Sequence, residues 1–134
     1  RLAGYSGQSR RRIRSLADVE QLLMPRLRDL ETEHFVTLLL NTKNEVLKQV
    51  TVAQGSLDGV AAAPRDVFRQ AIREGAASVI VVHNHPSGDP EPSRIDIELT
   101  DRLAKAGALM GVPLLDHVIL GDNRSVSMKD RQYL

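Results

Sequence analysis

The chain of 134 residues contains no cysteine and no tryptophan. Without thiols there are no disulfides, no cysteine-ligated zinc fingers, no thiol nucleophiles and no iron–sulfur clusters. Aromatics are nearly as scarce: Tyr5, Phe35, Phe68 and Tyr133 are all there is. The core must therefore be aliphatic, and little is available to stack nucleic-acid bases. No apolar run approaches the roughly 20 residues of a membrane span, and no signal-peptide pattern opens the chain, so a cytoplasmic location is expected. Neither sign of charge dominates, with 18 Lys+Arg against 17 Asp+Glu. What remains is 42% hydrophobic and 26% charged residues, enough apolar material for one folded domain rather than a disordered chain.

The balanced charge hides an asymmetry. Residues 1–14 carry Arg1, Arg10, Arg11, Arg12 and Arg14 and no acid, which leaves an acidic body behind a basic arm. Such an arm can touch phosphate through Arg10, Arg11, Arg12 and Arg14. With Gly4, Ser6, Gly7 and Ser9 in it, the arm equally suits a flexible linker, with residues 15–134 as the domain. The first residue is Arg1 rather than Met, so a longer parent protein is expected.

Hydrophobic spacing orders the elements. Ser15 is a candidate N-cap for a helix carrying Leu16, Val19, Leu22, Leu23, Leu27 and Leu30, with Pro25 expected to kink or divide it. Phe35 to Leu40 and Val46 to Ala53 flank an Asn41-Thr42-Lys43-Asn44 turn and read as a hairpin. Gly55 to Gly59 reads as a loop. Pro64 suits the first position of a helix with Val67, Phe68, Ala71 and Ile72 inward and Gly75 as its stop. Ser78 to Val82 is a continuous apolar run, as for a strand covered on both faces. Ser93 caps a further helix, with Ile95, Leu99, Leu103, Ala106 and Met110 expected inward. Leu114 to Leu120, the Gly121-Asp122-Asn123 turn and Val126 read as a second hairpin. The order predicts an α/β sandwich with a mixed sheet.

The chemistry concentrates where the apolar strand runs into His83-Asn84-His85-Pro86-Ser87-Gly88-Asp89-Pro90-Glu91-Pro92. Residues i and i+2 of an extended chain share a side, so His83 and His85 can converge as two zinc ligands. Asp96, in the first turn of the next helix, can be folded back by the proline-stiffened loop as a third. Asp89 is a rival ligand or a turn residue. Two nitrogens and one oxygen would leave a fourth tetrahedral position for water, as in catalytic rather than structural zinc sites. Ser93-x-x-Asp96 is also an ordinary helix cap.

The pattern His83-x-His85-Pro86 followed by Ser93-x-x-Asp96 resembles the motif of the JAMM (MPN+/JAB) zinc metalloproteases. The wider run His83 to Pro90, with Ser93 and Leu115-Asp116-His117, is similar to the RadC-type JAB domain over about residues 30–130. Ile95 departs from the acidic residue expected in most relatives, outside the motif positions. The resemblance implies a mixed β-sheet flanked by helices, a three-layer-like sandwich of the JAB/MPN, cytidine-deaminase-like type, and an upstream helical segment of helix-hairpin-helix type. It further implies Zn²⁺ held by His83, His85 and Asp96, and a glutamate near an early strand that activates water. Glu33 fits that glutamate best, with Glu31 and Glu45 as rivals, and Ser93 would help stabilise the oxyanion. The implied reaction is hydrolysis of a peptide or isopeptide bond.

Other classes fare differently. A zinc deaminase would need Cys-x-x-Cys ligands, which are absent, and no His-Glu-x-x-His zincin motif is present. A DNA-repair-associated nucleic-acid-binding role, or a protein-interaction module with a non-catalytic metal site, stands as the alternative. His34 and His117 are expected to be structural, with a role for His117 behind the ligands or at the substrate's edge as the lesser option. Asn84 should point away from its two neighbours and tie down the loop.

Overall fold

The computed structural model describes residues 10–55 and 62–134. Residues 1–9 of the basic arm and most of the loop expected at 55–59 lie outside that range. Five strands and three helices follow in the order α1 (Leu16–Leu27), β1 (His34–Leu40), β2 (Val46–Gln54), α2 (Pro64–Arg73), β3 (Ser78–Asn84), α3 (Arg94–Met110), β4 (Leu114–Leu120) and β5 (Ser125–Ser127). The strands form one mixed sheet ordered β2-β1-β3-β4-β5. Among the described residues only β3 and β4 run parallel, and α3 makes the crossover that a parallel pair requires.

Alternation along the central strands divides the core in two. Phe35, Leu39, Val79 and Val81 face Val67, Phe68 and Ala71 of α2 and Leu99 and Leu103 of α3. Val36, Leu38, Leu40, Ile80 and Val82 face Val19, Leu23, Met24 and Leu27 of α1 on the other side. All seven residues of β3 are buried, as the unbroken apolar run predicts for a strand covered on both faces. The result is the sandwich of helices around a mixed sheet.

Local departures have simple causes. Pro25 neither divides nor ends α1 at its own position; it falls in the last turn, and the helix stops at Leu27. Ser15 occupies the N-cap position in extended conformation, but its side chain makes no capping bond. The Asp18 carboxylate instead accepts from the Arg14 amide at 2.8 Å. Pro64 opens α2 as expected, whereas Ile72 is 56% exposed rather than inward. In α3 the buried positions are Asp96, Leu99, Thr100, Leu103 and Gly107, while Ile95 and Met110 are exposed. The inward face is thus turned by about one residue from the purely apolar stripe.

The described end of the arm belongs to the folded body. Ile13 is buried against α1 and the sheet, the Ile13 amide donates to the Asn44 carbonyl, and the Val46 amide donates to the Arg11 carbonyl. Arg12 bridges to Glu45. Ile13 thus supplies core just ahead of the boundary expected at residue 15. Arg10, Arg11, Arg12 and Arg14 are exposed there. That place is the end of β1 at Leu40, opposite Val46. No described helix is long and apolar enough to cross a membrane.

Candidate metal centre

Antiparallel pairing sets Phe35 at the start of β1 opposite His83 near the end of β3. The residue two before Phe35 and the residue two after His83 thus emerge at the same end of the sheet, on the same face. These are Glu33 and His85. The His85 amide continues the parallel ladder by donating to the Leu120 carbonyl at 2.8 Å. A turn then follows in which the Gly88 amide bonds the His85 carbonyl, with Gly88 at φ 91°. The turn lies tight on the end of β4: the Asp122 amide donates to the Gly88 carbonyl, and a Cβ on Gly121 would strike that carbonyl and the Pro90 ring. Chain direction is reversed within this short loop, and α3 begins beside the histidines.

Its first turn is fixed by a reciprocal cap. The Asp96 amide donates to Ser93 Oγ at 3.1 Å, and the Ser93 amide donates to Asp96 Oδ2 at 2.8 Å. Capped in this way, the carboxylate reaches both rings, with Oδ1 3.3 Å from His83 Nε2 and Oδ2 3.2 Å from His85 Nε2. The two Nε2 atoms are 3.1 Å apart. Glu33 Oε1 lies 3.4 Å from His83 Nε2. Glu33, His83 and His85 form a group that can hold a metal ion, with one ligand atom each and all within 4.8 Å of one another. Asp96 reaches the same two rings with separate oxygens.

The donor set suits a cation. His85 Nδ1 sits 2.9 Å from the Asp89 carbonyl, which can only accept, so in the neutral ring Nδ1 carries the proton and the Nε2 lone pair faces His83. Two carboxylates close on the same point, and a divalent metal satisfies such converging acceptors. Burial lowers the His85 pKa, but the Asp96 carboxylate and the Asp89 carbonyl outweigh it and raise the pKa overall. The environment that draws a proton to this ring also draws a metal.

The carboxylates differ in kind. Burial raises the Glu33 pKa, and the opposing attraction of His83 and His85 does not cancel it. Burial acts in the same direction on Asp96, but the His83 and His85 rings beside it and the Ser93 amide hold its carboxyl far below the usual carboxylate range. An open cleft of about 840 Å³ lies between the α1–β1 connection, Arg28 to Glu31 with Glu33, and the His85–Ser87 turn. Glu33 and His85 line it, whereas His83 is only 1% exposed.

The remaining expected residues resolve as follows. Glu31 is exposed and lines the cleft without joining the histidine group. Glu45 accepts from the Asn41 amide nitrogen at 2.9 Å in the β1–β2 turn, at the far end of β1. The Asp89 carboxylate accepts from the Glu91 amide at 3.0 Å as a turn residue. His34 Nδ1 contacts the Thr32 carbonyl at 3.0 Å. Asp116 clasps the β4–β5 end, accepting from Ser127 Oγ at 2.6 Å and from the His117 and Lys129 amides.

Two residues do more than their sequence positions suggest. His117 is fully buried, and its Nε2 lies 2.9 Å from His83 Nδ1. Burial drives its pKa well below the ordinary imidazole value. The signal available was an ionisable residue, next to Asp116, inside a largely apolar strand. Asn84 ties down not the loop it enters but the chain around Glu33. Its Oδ1 accepts from the His34 amide at 2.7 Å, and its Nδ2 donates to the Thr32 carbonyl at 3.1 Å. Asn84→Ala leaves both part-buried backbone groups without that partner. It should cost about 1–3 kcal/mol of stability, measurable as a lower urea midpoint at unchanged slope. An unchanged midpoint would mean that the clamp contributes nothing.

Comparison with known proteins gives a consistent picture. Residues 13–133 match the family model described as RadC-like JAB domain. The chain is 53% identical over 131 residues to a UPF0758 protein of Desulforamulus reducens, covering 98% of this chain and 58% of that protein. It is 48% identical over 134 residues to a UPF0758 protein of Methanosarcina mazei, covering 100% and 58%. A UPF0758 protein of Bacillus cereus is 47% identical, covering 100% and 60%. The chain thus spans less than two thirds of the length of these relatives, whose names specify no activity.

Proposed function

The chain belongs to the family of RadC-like JAB domains, and from that premise we propose that it is a zinc-dependent hydrolase of peptide or isopeptide bonds. The observation that carries this reading is the convergence of Glu33, His83, His85 and Asp96, with His85 Nε2, Asp96 Oδ1 and Glu33 Oε1 at 3.1, 3.3 and 3.4 Å from His83 Nε2. Asp96 is fixed by its helix cap with Ser93, as a ligand should be, and Glu33 lines the open cleft, where a general base and acid can meet substrate. His83, His85 and Asp96 are the proposed ligands. Zn²⁺ held there would supply Lewis acidity toward water and a carbonyl oxygen.

The chain's own groups then have separate tasks. Glu33, lining the cleft, takes a proton from the attacking water and returns it to the leaving amine. The Ser93 hydroxyl oxygen accepts from the Asp96 amide, so its proton is free to be donated to the developing oxyanion. The cleft between Arg28 and Ser87 is the entry for a protein or peptide substrate. The pinned turn from His85 to Gly88 keeps His85 fixed while substrate enters.

Metal content is the test. Protein prepared without chelator is expected to carry about one zinc per chain by elemental analysis, and a His83→Ala/His85→Ala variant none. No metal in either protein, even after zinc is added back, would overturn the proposal.

A further inference from the structure

His83 has two ring nitrogens, and only one faces the ligand group. The other, Nδ1, begins a buried chain of contacts that ends at the backbone of the helix carrying Asp96. His83 Nδ1 lies 2.9 Å from His117 Nε2, His117 Nδ1 lies 2.7 Å from Thr100 Oγ1, and Thr100 Oγ1 donates to the Asp96 carbonyl at 2.8 Å. Thr100 and His117 are fully buried and His83 nearly so, so solvent offers these atoms no substitute partner.

We infer that Thr100 and His117 are positioning residues that hold His83 in the Nδ1–H tautomer, leaving its Nε2 lone pair free for the metal. The protons are ordered along this chain of contacts from its fixed end. A carbonyl oxygen only accepts, so the single hydroxyl proton of Thr100 lies toward Asp96. Thr100 Oγ1 must then accept from His117 Nδ1–H. A neutral imidazole has one N–H, so His117 Nε2 accepts, and His83 Nδ1 donates to it. His83 Nε2 is left without a proton, at the atom that His85, Asp96 and Glu33 approach at 3.1, 3.3 and 3.4 Å. Reversing the chain would set two acceptors 2.8 Å apart between Thr100 and Asp96. One helix thus presents Asp96 to the site with its side chain and orients His83 through its backbone. This use of His83 rests on the proposed function, which gives the lone pair a metal to bind.

The experiment uses the whole chain labelled with ¹⁵N-histidine, stripped of metal and held above the ordinary imidazole range. Long-range ¹H–¹⁵N correlation should show His83 as the Nδ1–H tautomer. Thr100→Val, nearly isosteric, should shift His83 away from it, and Thr100→Ser should restore it. In competition against a chromophoric chelator, Zn²⁺ should bind Thr100→Val and His117→Leu roughly 10–100-fold more weakly and Thr100→Ser as it binds wild type. If His117→Leu does not fold, Thr100→Val decides alone. His83 found as the Nε2–H tautomer in wild type, or Thr100→Val binding Zn²⁺ as tightly as wild type, would overturn the inference. A wild-type chain that shows the Nδ1–H tautomer but binds no Zn²⁺ would instead overturn the proposed metal function and uphold the relay.

Discussion

Glu33→Gln is expected to keep its zinc and lose about 10²- to 10⁴-fold in hydrolysis, the range that a positioned general base supplies. Glu33 and Asp96 both stand against His83, at 3.4 and 3.3 Å, and distance alone does not separate ligand from base. Their surroundings do. Asp96 is fixed by the Ser93 amide and its own helix cap, whereas Glu33 lines the cleft where substrate would enter. The substitution also has a signature in stability. The raised Glu33 pKa, caused first by burial, means that the folded chain holds this proton more tightly than the unfolded one. That contribution is present below the unfolded carboxylate range and is lost as pH rises through the folded value. The metal-free Glu33→Gln variant should therefore melt above wild type at neutral pH, with the gap closing in acid. Full activity in the variant would remove Glu33 as base. Loss of zinc would make it a ligand.

Much of the fold is legible because its apolar pattern is simple. The unbroken run at Ser78 to Val82 can only be a strand covered on both faces, and it is buried throughout. The two hairpins follow from turn residues between β-prone runs. The error in α3 is the informative one. Ile95 and Met110 were expected inward because hydrophobicity alone defines a stripe, yet the buried face carries Asp96 and Thr100. Both polar side chains are buried because they have partners there, the Ser93 amide and both histidines for Asp96, the Asp96 carbonyl and His117 for Thr100. A helix that turns polar groups inward is one that supports a site.

The candidate site divides along the same line between near and far in sequence. His83, His85 and Asp96 are close enough for strand alternation and a stiff loop to relate them. Glu33 comes from fifty residues upstream through the register that sets Phe35 against His83, which local spacing does not reveal, so its assignment came from family resemblance. His117 arrives through the parallel register opposite Val81. From sequence a place behind the ligands is only its lesser option, and the contact with His83 Nδ1 distinguishes it from an inert core histidine.

Asp96→Asn should reduce Zn²⁺ affinity by more than the roughly 100-fold that outer contacts cost, and should also lower the stability of the metal-free chain near neutral pH. The reason is that Asp96 has two separable jobs. As a cap it accepts the Ser93 amide at 2.8 Å, and the Asn carbonyl oxygen can do the same. As a proposed ligand it offers negative oxygens to both rings, and Asn replaces one of them with an NH₂ group. Asp96→Ala removes both functions and should cost about 1 kcal/mol more in stability through the lost cap. The depressed Asp96 pKa, held down against burial by the histidines and the Ser93 amide, gives the acid dependence its sign. Its stabilisation is present above the unfolded carboxylate range and is lost as pH falls through the folded value. The advantage of wild type over Asp96→Asn in metal-free melts should therefore shrink in acid. Zinc titrations and urea midpoints on both variants separate the two jobs. If Asp96→Asn binds zinc as wild type does, the third ligand is Glu33, and the roles of the two carboxylates exchange.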